Sequence, residues 1–298
     1  MGVYAFAGGK GGVGKTTTAV NVGVALSRNG YDVLVVDADL GMTDLARLLE
    51  VDAEPGIHGV LAGEAPMSAA LVDGPEDVDV LPGATDLDAV ERADPAKLPA
   101  VLSHLSDHHE FVLVDTSAGL SHEVLVALGA ADGVALLTTP KETALGDTAR
   151  TADLAARVDG TVLGTVVSRA THETDLDAVE QRVGESVVGV VADDPAVTDT
   201  GVVAATPGDL DTAAAGYHWV ADLLEAVEFA DDVDDAVASF TDPDLPPEPD
   251  PADSDVDSDS DSESPSDDDA TVGDGDGDGD DGSGRSLTSA FDPGILGG

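Results

Sequence analysis

The chain has 298 residues, no cysteine, and 61 acidic against 12 basic residues, a formal net charge of −49. The missing thiols exclude disulfide scaffolds, zinc ribbons and thiolate-held iron–sulfur clusters. No run of 18 apolar residues marks a membrane-spanning helix.

Residues 1–230 alone carry 38 acidic and 11 basic residues, a net of −27. Self-repulsion of that size opposes compaction in ordinary buffer. It is screened in concentrated salt, where the Debye length falls to roughly 3 Å at 1 M. The composition predicts a salt-adapted cytoplasmic protein of the kind a halophile makes. The sequence opens on a strand pattern rather than a signal peptide, which also points to the cytoplasm.

Residues 3–7 are a short apolar run and read as a buried strand. Directly after them stands Gly8-Gly9-Lys10-Gly11-Gly12-Val13-Gly14-Lys15-Thr16-Thr17. From Gly9 onward this fits G-x-x-x-x-G-K-[ST], the phosphate-binding loop. Glycines let the backbone curl so that successive N–H groups point at an anion with no Cβ in the way. A helical pattern follows (Ala19, Val22, Gly23 and Leu26, with Gly30 as the stop), and its positive end adds to the same spot. Lys15 would reach the β- and γ-phosphates, and the Thr16 hydroxyl would hold Mg²⁺. The chain has four lysines, and two of them, Lys10 and Lys15, lie in this loop.

Residues 10–17, K-G-G-V-G-K-T-T, are the deviant form of the loop, and through them the chain resembles the MinD/ParA group of dimerising P-loop ATPases. The resemblance covers about residues 1–228. It implies ATP and Mg²⁺ as cofactors, held by Gly9, Lys10, Gly11, Gly12, Val13, Gly14, Lys15, Thr16 and Thr17. It also implies an ATP-dependent homodimer in which Lys10 crosses to the partner's phosphates.

Residues 33–37 are a continuous apolar run ending in Asp37, typical of a buried parallel strand. Asp39 follows. A carboxylate just past such a strand lies at the crevice where ligands bind. The resemblance gives Asp39 the part of positioning or activating the attacking water beside the metal, with Asp37 supporting the magnesium region. The plain alternative is Asp39 as a helix N-cap. Residues 43–75 read as short helices broken by Pro55, Gly59, Pro66 and Pro75, and residues 57–71 also look like MinD-type sequence. Residues 78–81 are a short strand, and 95–105 a helix with Leu98, Val101, Leu102 and Leu105 on one face. His104 and His108 share a helix face, but with no third ligand they read as surface residues rather than a metal site.

Residues 111–115 are four hydrophobic residues and Asp115, a Walker B strand in which Asp115 would hold Mg²⁺ through water. Thr116, Ser117, Ala118, Gly119 and Leu120 would then be the second switch. Ser117 stands where the family often has proline, and Gly119 would offer its N–H to the γ-phosphate. Further strands are expected over 133–138, 161–167 and 187–191, and helices over 142–157 and 212–227. The strand over 161–167 delivers Ser168 and Arg169, where the family commonly has Asn-Arg and the Asn recognises adenine. A serine hydroxyl cannot make that two-point contact. The last strand leads to Asp193, Asp194 and Pro195, a loop that packs on adenine through its backbone in relatives.

Strands alternating with helices imply an α/β fold, a P-loop NTPase with a mostly parallel, doubly wound sheet and helices on both faces, over residues 1–230. Residues 231–284 form an acidic Asp/Ser/Gly-rich linker, expected to be disordered, with 22 acidic and no basic residues over 231–282. Asp274, Asp276, Asp278 and Gly279 imitate the start of a calcium loop, but Arg285 stands where the closing Glu is required, which rejects an EF-hand. Residues 285–298 regain apolar character. MinD proteins end in an amphipathic membrane-targeting helix, yet here Leu287 and Phe291 are followed by Pro293 and accompanied by a single arginine. Docking on a protein and docking on a membrane surface both stay open.

The reading placed first is a MinD-like ATP hydrolase that dimerises on ATP, is released by hydrolysis, and positions a cell-division site, pole or chromosome. Its surface would be a regulatory or cargo protein, or a membrane. A ParA-type partitioning ATPase ranks second, because non-specific nucleic-acid binding requires Lys and Arg that this domain lacks. A metabolic P-loop ligase or kinase is a third reading, and a nucleotide-gated scaffold a fourth.

Overall fold

The computed structural model describes residues 1–84, 86–119, 121–205 and 212–247. These residues contain one sheet, formed by β1 (Gly2–Gly8), β2 (Val33–Ala38), β3 (Val72–Asp73), β4 (Asp79–Leu81), β5 (Phe111–Ala118), β6 (Gly133–Thr138), β7 (Val162–Ala170) and β8 (Val187–Ala192). The strand order is β3-β4-β2-β5-β1-β6-β7-β8. Every neighbouring pair is parallel except β3 with β4. The helices up to the fifth strand are α1 (Lys15–Arg28), α2 (Leu45–Leu49), α3 (Gly56–Ala62), α4 (Met67–Ala70), α5 (Leu87–Arg92) and α6 (Leu98–Ser106). Beyond it come α7 (His122–Ala130), α8 (Glu142–Arg157), α9 (Leu176–Val183), α10 (Pro195–Thr200), α11 (Ala213–Glu228) and α12 (Val233–Ala238).

The central strands are apolar throughout because both of their faces are covered. Tyr4, Phe6, Val33, Val35, Phe111 and Leu113 point to the face packed by α1 and α11. Val3, Ala5, Ala7, Leu34, Val36, Val112 and Val114 point to the face packed by α6, α7 and α8. On α11 the buried Val220, Leu223, Leu224 and Val227 fall at helical spacing, each contributing about 1.5–3 kcal/mol when fully buried. Among the described residues no helix is long and apolar enough to cross a membrane.

The winding of the sheet reverses at β1. From β1 the chain crosses through α1 to β2 on one side; from β5 it crosses through α7 to β6 on the other. The crevice outside the carboxyl end of β1 is the place where such a sheet takes its ligand. His104 and His108 are both exposed, and His108 Nδ1 donates to the His104 carbonyl at 2.9 Å, in keeping with a surface pair.

The expectation of disorder from residue 231 onward is corrected for its first part. Residues 233–238 are the helix α12, capped by the Asp232 side chain, which accepts from the N–H groups of Asp234 and Asp235. Val233, Ala236, Val237 and Phe240 pack on the core. Their spacing of three and four builds an apolar stripe among the acids. The remainder of the linker and the segment 285–298 lie outside the described residues.

Candidate functional site

At the winding reversal the chain is built almost entirely of glycine. Gly12 (φ 77°) and Gly14 (φ 91°) take left-handed angles that suit glycine, and Gly14 is the N-cap of α1. A Cβ on Gly11 or Gly12 would meet nothing within 4 Å among the described residues, so these glycines edge open space there. Gly9 has a different reason. A Cβ there would stand 2.2 Å from the backbone of Asp147, so α8 closes against the loop only over a glycine. Val13 is buried and anchors the loop to the core.

Lys15 is 8 % exposed and enters a cleft of about 300 Å³ that Thr16, Asp39, Arg47, Thr116 and Arg169 also line. Thr17 and the glycines at 11, 12 and 14 complete its loop wall. Lys10 behaves otherwise. It is exposed and outside the lining of this cleft, and its Nζ donates to Thr143 Oγ1 on α8 at 3.3 Å.

Three carboxylates stand at the strand ends. Asp37 and Asp115 are register neighbours on β2 and β5, and both are buried. Asp37 accepts from the N–H of Asp39 at 3.1 Å and of Leu45 at 3.3 Å, so its oxygens shape the loop after β2. Asp115 Oδ1 is buried with no hydrogen-bond partner among the described residues, while the Thr16 hydroxyl stands beside its carboxylate. Burial pushes the Asp115 carboxyl up to about 7, against the opposing pull of Thr16 and Lys15. An orphaned carboxylate oxygen beside a threonine hydroxyl is an all-oxygen set that fits a hard divalent cation such as Mg²⁺. Asp39 is half-buried, and burial raises its carboxyl too, although the Met42 N–H and Lys15 oppose the shift. Its Oδ1 accepts from the Met42 N–H at 3.0 Å. That bond closes a turn, whereas α2 begins only after Asp44, so Asp39 is not a helix cap.

The segment expected to form the second switch is tied from below. Thr116 Oγ1 donates to the Phe6 carbonyl at 2.9 Å, joining β5 to β1. The hydroxyl of Ser117 lies 3.3 Å from that of Ser121, the N-cap of α7, so two hydroxyls hold the loop where the family often uses proline. Gly119 sits at φ 94°, and a Cβ added to it would meet no atom within 4 Å among the described residues.

The side expected to take the base is a cavity of about 70 Å³ lined by Thr18, Ser168, Arg169, Asp193, Asp194 and Tyr217, among others. The hydroxyl of Ser168 is already engaged, 2.7 Å from the Val13 carbonyl oxygen and 3.0 Å from that of Thr138. Arg169 holds a positive φ of 54° and is exposed. Pro195 opens α10 and is not part of this lining. The Asp194 carboxylate fixes the loop instead, accepting from the N–H groups of Ala196 at 2.8 Å and Ala213 at 3.1 Å. Beside this cavity a cleft of about 800 Å³ is bordered by Lys141, Glu142, Arg169, Thr171, Glu173 and Asp175.

Two contributors escape sequence reasoning. Arg47, in a segment read only as short helices, lines the phosphate-side cleft and pairs with Asp44 at 2.8 Å. His58 is fully buried; its Nε2–H donates to the Leu40 carbonyl at 2.9 Å while its Nδ1 accepts from the Ala84 N–H at 2.9 Å. It thereby latches the loop after Asp39 to the segment after β4. No motif announces it, because its partners are backbone groups far apart in the chain.

Residues 4–202 match the family model of the CobQ/CobB/MinD/ParA nucleotide binding domain. The chain belongs to this family. An uncharacterized ATP-binding protein of Methanocaldococcus jannaschii is 36% identical over 197 residues, which cover 65% of this chain and 75% of that one. The cell division ATPase MinD of Pyrococcus furiosus superposes with a TM-score of 0.69 at 34% identity, covering 76% of this chain and 99% of that one. Cobyrinic acid a,c-diamide synthase of Mycobacterium smegmatis, solved with bound ADP and magnesium, gives a TM-score of 0.62 at 26% identity, covering 76% of this chain and 95% of that one. A cell division ATPase and a synthase thus share this chain's scaffold.

Proposed function

We propose that this protein is a MinD-like ATPase that forms a homodimer around ATP and comes apart on hydrolysis, so that nucleotide state controls its place on a partner surface. One observation carries the reading: the loop holds two lysines with opposite dispositions. Lys15 is buried in the cleft of its own chain, whereas Lys10 lies exposed on the rim against Thr143. A lysine held outside its own cradle is available to a second copy.

In this reading the loop N–H groups and Lys15 hold the phosphates. Thr16 and Asp115 would hold Mg²⁺, which would supply charge neutralisation at the phosphates. Asp39, fixed by the Met42 N–H, orients the attacking water, and the Gly119 N–H reports the γ-phosphate. In this reading the protein works in the cytoplasm, with a cargo protein or a membrane surface as its partner. A nucleic-acid surface ranks lower because a domain of net −27 repels phosphates.

The test combines light scattering with ATP turnover. The Asp39→Ala chain with ATP is expected as a long-lived dimer with turnover reduced at least about 100-fold. Lys10→Ala is expected to bind ATP yet stay monomeric. A monomer that turns over ATP at the wild-type rate would sink the proposal.

A second reading, a ligase or synthase acting on a small molecule, is favoured by the cleft of about 800 Å³ next to the base-side cavity. It predicts turnover that depends on a small substrate and not on a second copy.

A further inference from the structure

The opposite end of the sheet carries a second constellation. Asp32 immediately precedes β2, Asp79 opens β4, and His109 lies just before β5. Because β2 pairs with both β4 and β5, the three residues meet at the amino-terminal ends of adjacent strands. One donor atom of each lies within 4.8 Å of the others.

His109 is 6 % exposed, and both of its ring nitrogens face acceptors. Nδ1 lies 3.1 Å from the Leu105 carbonyl oxygen, and Nε2 lies 3.1 Å from Asp79 Oδ2. A carbonyl has no proton to give, so Nδ1 carries the hydrogen. The Nε2 lone pair of the neutral ring then points straight at a carboxylate. That contact is repulsive unless a cation lies between the two atoms or the ring gains a second proton. Two further carboxylates stand close by. Asp73 stands opposite Asp79 across the β3–β4 pair, and Glu110 accepts from the Asp32 N–H at 3.0 Å. Among the described residues no lysine or arginine pairs with any of these four carboxylates.

We propose that Asp32, Asp79 and His109 hold a divalent first-row transition ion of the Zn²⁺ or Mn²⁺ kind. One imidazole with two carboxylates is a mixed nitrogen–oxygen set suited to such ions. Metal–ligand distances of about 2.0–2.2 Å imply ligand edges of roughly 3.0 Å in an octahedron and 3.4 Å in a tetrahedron, and the Nε2–Oδ2 separation of 3.1 Å falls in that interval. Asp32 is exposed, so its side chain is free to swing in and close the set. The Nδ1–H bond to a backbone carbonyl is the outer contact that orients a ligating histidine. The ion would clamp the turn before β2, the start of β4 and the turn before β5, away from the nucleotide cleft.

The test uses the full chain, nucleotide-free, titrated with Zn²⁺ by calorimetry, alongside a two-bond ¹H–¹⁵N correlation of the His109 ring. Wild type is expected to bind one Zn²⁺ with micromolar affinity, above the weak background of its many acids. Asp79→Asn and the surface variant Asp32→Asn should each weaken that site at least about tenfold, and Nε2 should report metal in place of a proton. His109→Gln risks misfolding, and Asp32→Asn keeps the test decisive. Equal affinity in wild type and both Asp variants would overturn the proposal. So would a protonated Nε2 at saturating Zn²⁺, which would mean that an imidazolium–Asp79 ion pair is all that forms.

Discussion

The Ser168 hydroxyl lies 2.7 Å from the carbonyl oxygen of Val13 and so buckles the phosphate loop to the end of β7. Both residues are buried. A hydroxyl has one hydrogen, and the shorter of its two contacts is the one to the loop. Removing it leaves a buried carbonyl without a partner, which costs about 1–3 kcal/mol. Ser168→Ala is therefore expected to lower unfolding stability by that amount and to weaken ATP binding several-fold, because the loop proposed to hold the phosphates loses its tether. Urea denaturation and nucleotide titration of the same variant check both effects. If affinity is unchanged, the buckle does not shape the loop.

Asp115 sets a pH dependence. Burial raises its carboxyl to about 7, and the neighbouring Asp37 is raised well above the usual range, chiefly by burial. In the unfolded chain both ionise near about 4. Between roughly pH 4 and 7 the folded state binds more protons than the unfolded one, so the nucleotide-free protein loses stability as pH rises through that window. For Asp115 the loss is on the order of 4 kcal/mol by about pH 8. Asp115→Asn should flatten much of the slope, raise stability at the alkaline end and abolish turnover. Denaturation profiles of the two proteins from about pH 5 to 8 give the comparison, and parallel slopes would refute the assignment.

The two ends of the glycine run separate fold from function. A methyl at Gly9 would collide with the backbone of Asp147 at 2.2 Å, which no rotamer relieves. Gly9→Ala is expected to cost about 1–3 kcal/mol of stability, as overpacking does. Gly11→Ala meets no atom within 4 Å among the described residues, so its stability should stay within about 0.5 kcal/mol of wild type. Its methyl nevertheless projects at the rim of the phosphate-side cleft, and ATP affinity should fall about tenfold. Thermal melts with and without nucleotide distinguish the pair.

The sheet and the loop were legible because each rests on local sequence. Residues 3–7, 33–37 and 111–115 are apolar runs, the last two closed by an aspartate, and the deviant loop fits its motif residue by residue. What escaped notice depends on partners distant in the chain. His58 acquires its meaning only from Leu40 and Ala84, and Ser168 becomes a buckle only once β7 lies beneath Val13. The antiparallel β3 is two residues long, too short for any periodicity. Acid-rich composition hid α12, because the stripe of Val233, Ala236, Val237 and Phe240 occupies one helical face while aspartates dominate the rest.

That last element yields a prediction of its own. Phe240 meets the Trp219 ring edge-on at a centroid distance of 5.3 Å, and Pro243 and Pro246 line a small cavity together with Trp219. The Trp219 indole N–H donates to the Val188 carbonyl at 2.9 Å, so the ring is held from β8 and covered by the segment after α12. A chain ending at residue 230 loses that cover and the core contacts of Val233, Ala236 and Val237, at a cost of about 2–4 kcal/mol in buried apolar surface. A chain ending at 247 retains them. The shorter chain is expected to melt several degrees lower and to show red-shifted tryptophan emission, reported by the single Trp219. Identical melting and emission for the two truncations would mean that residues 231–247 lie on the fold without stabilising it.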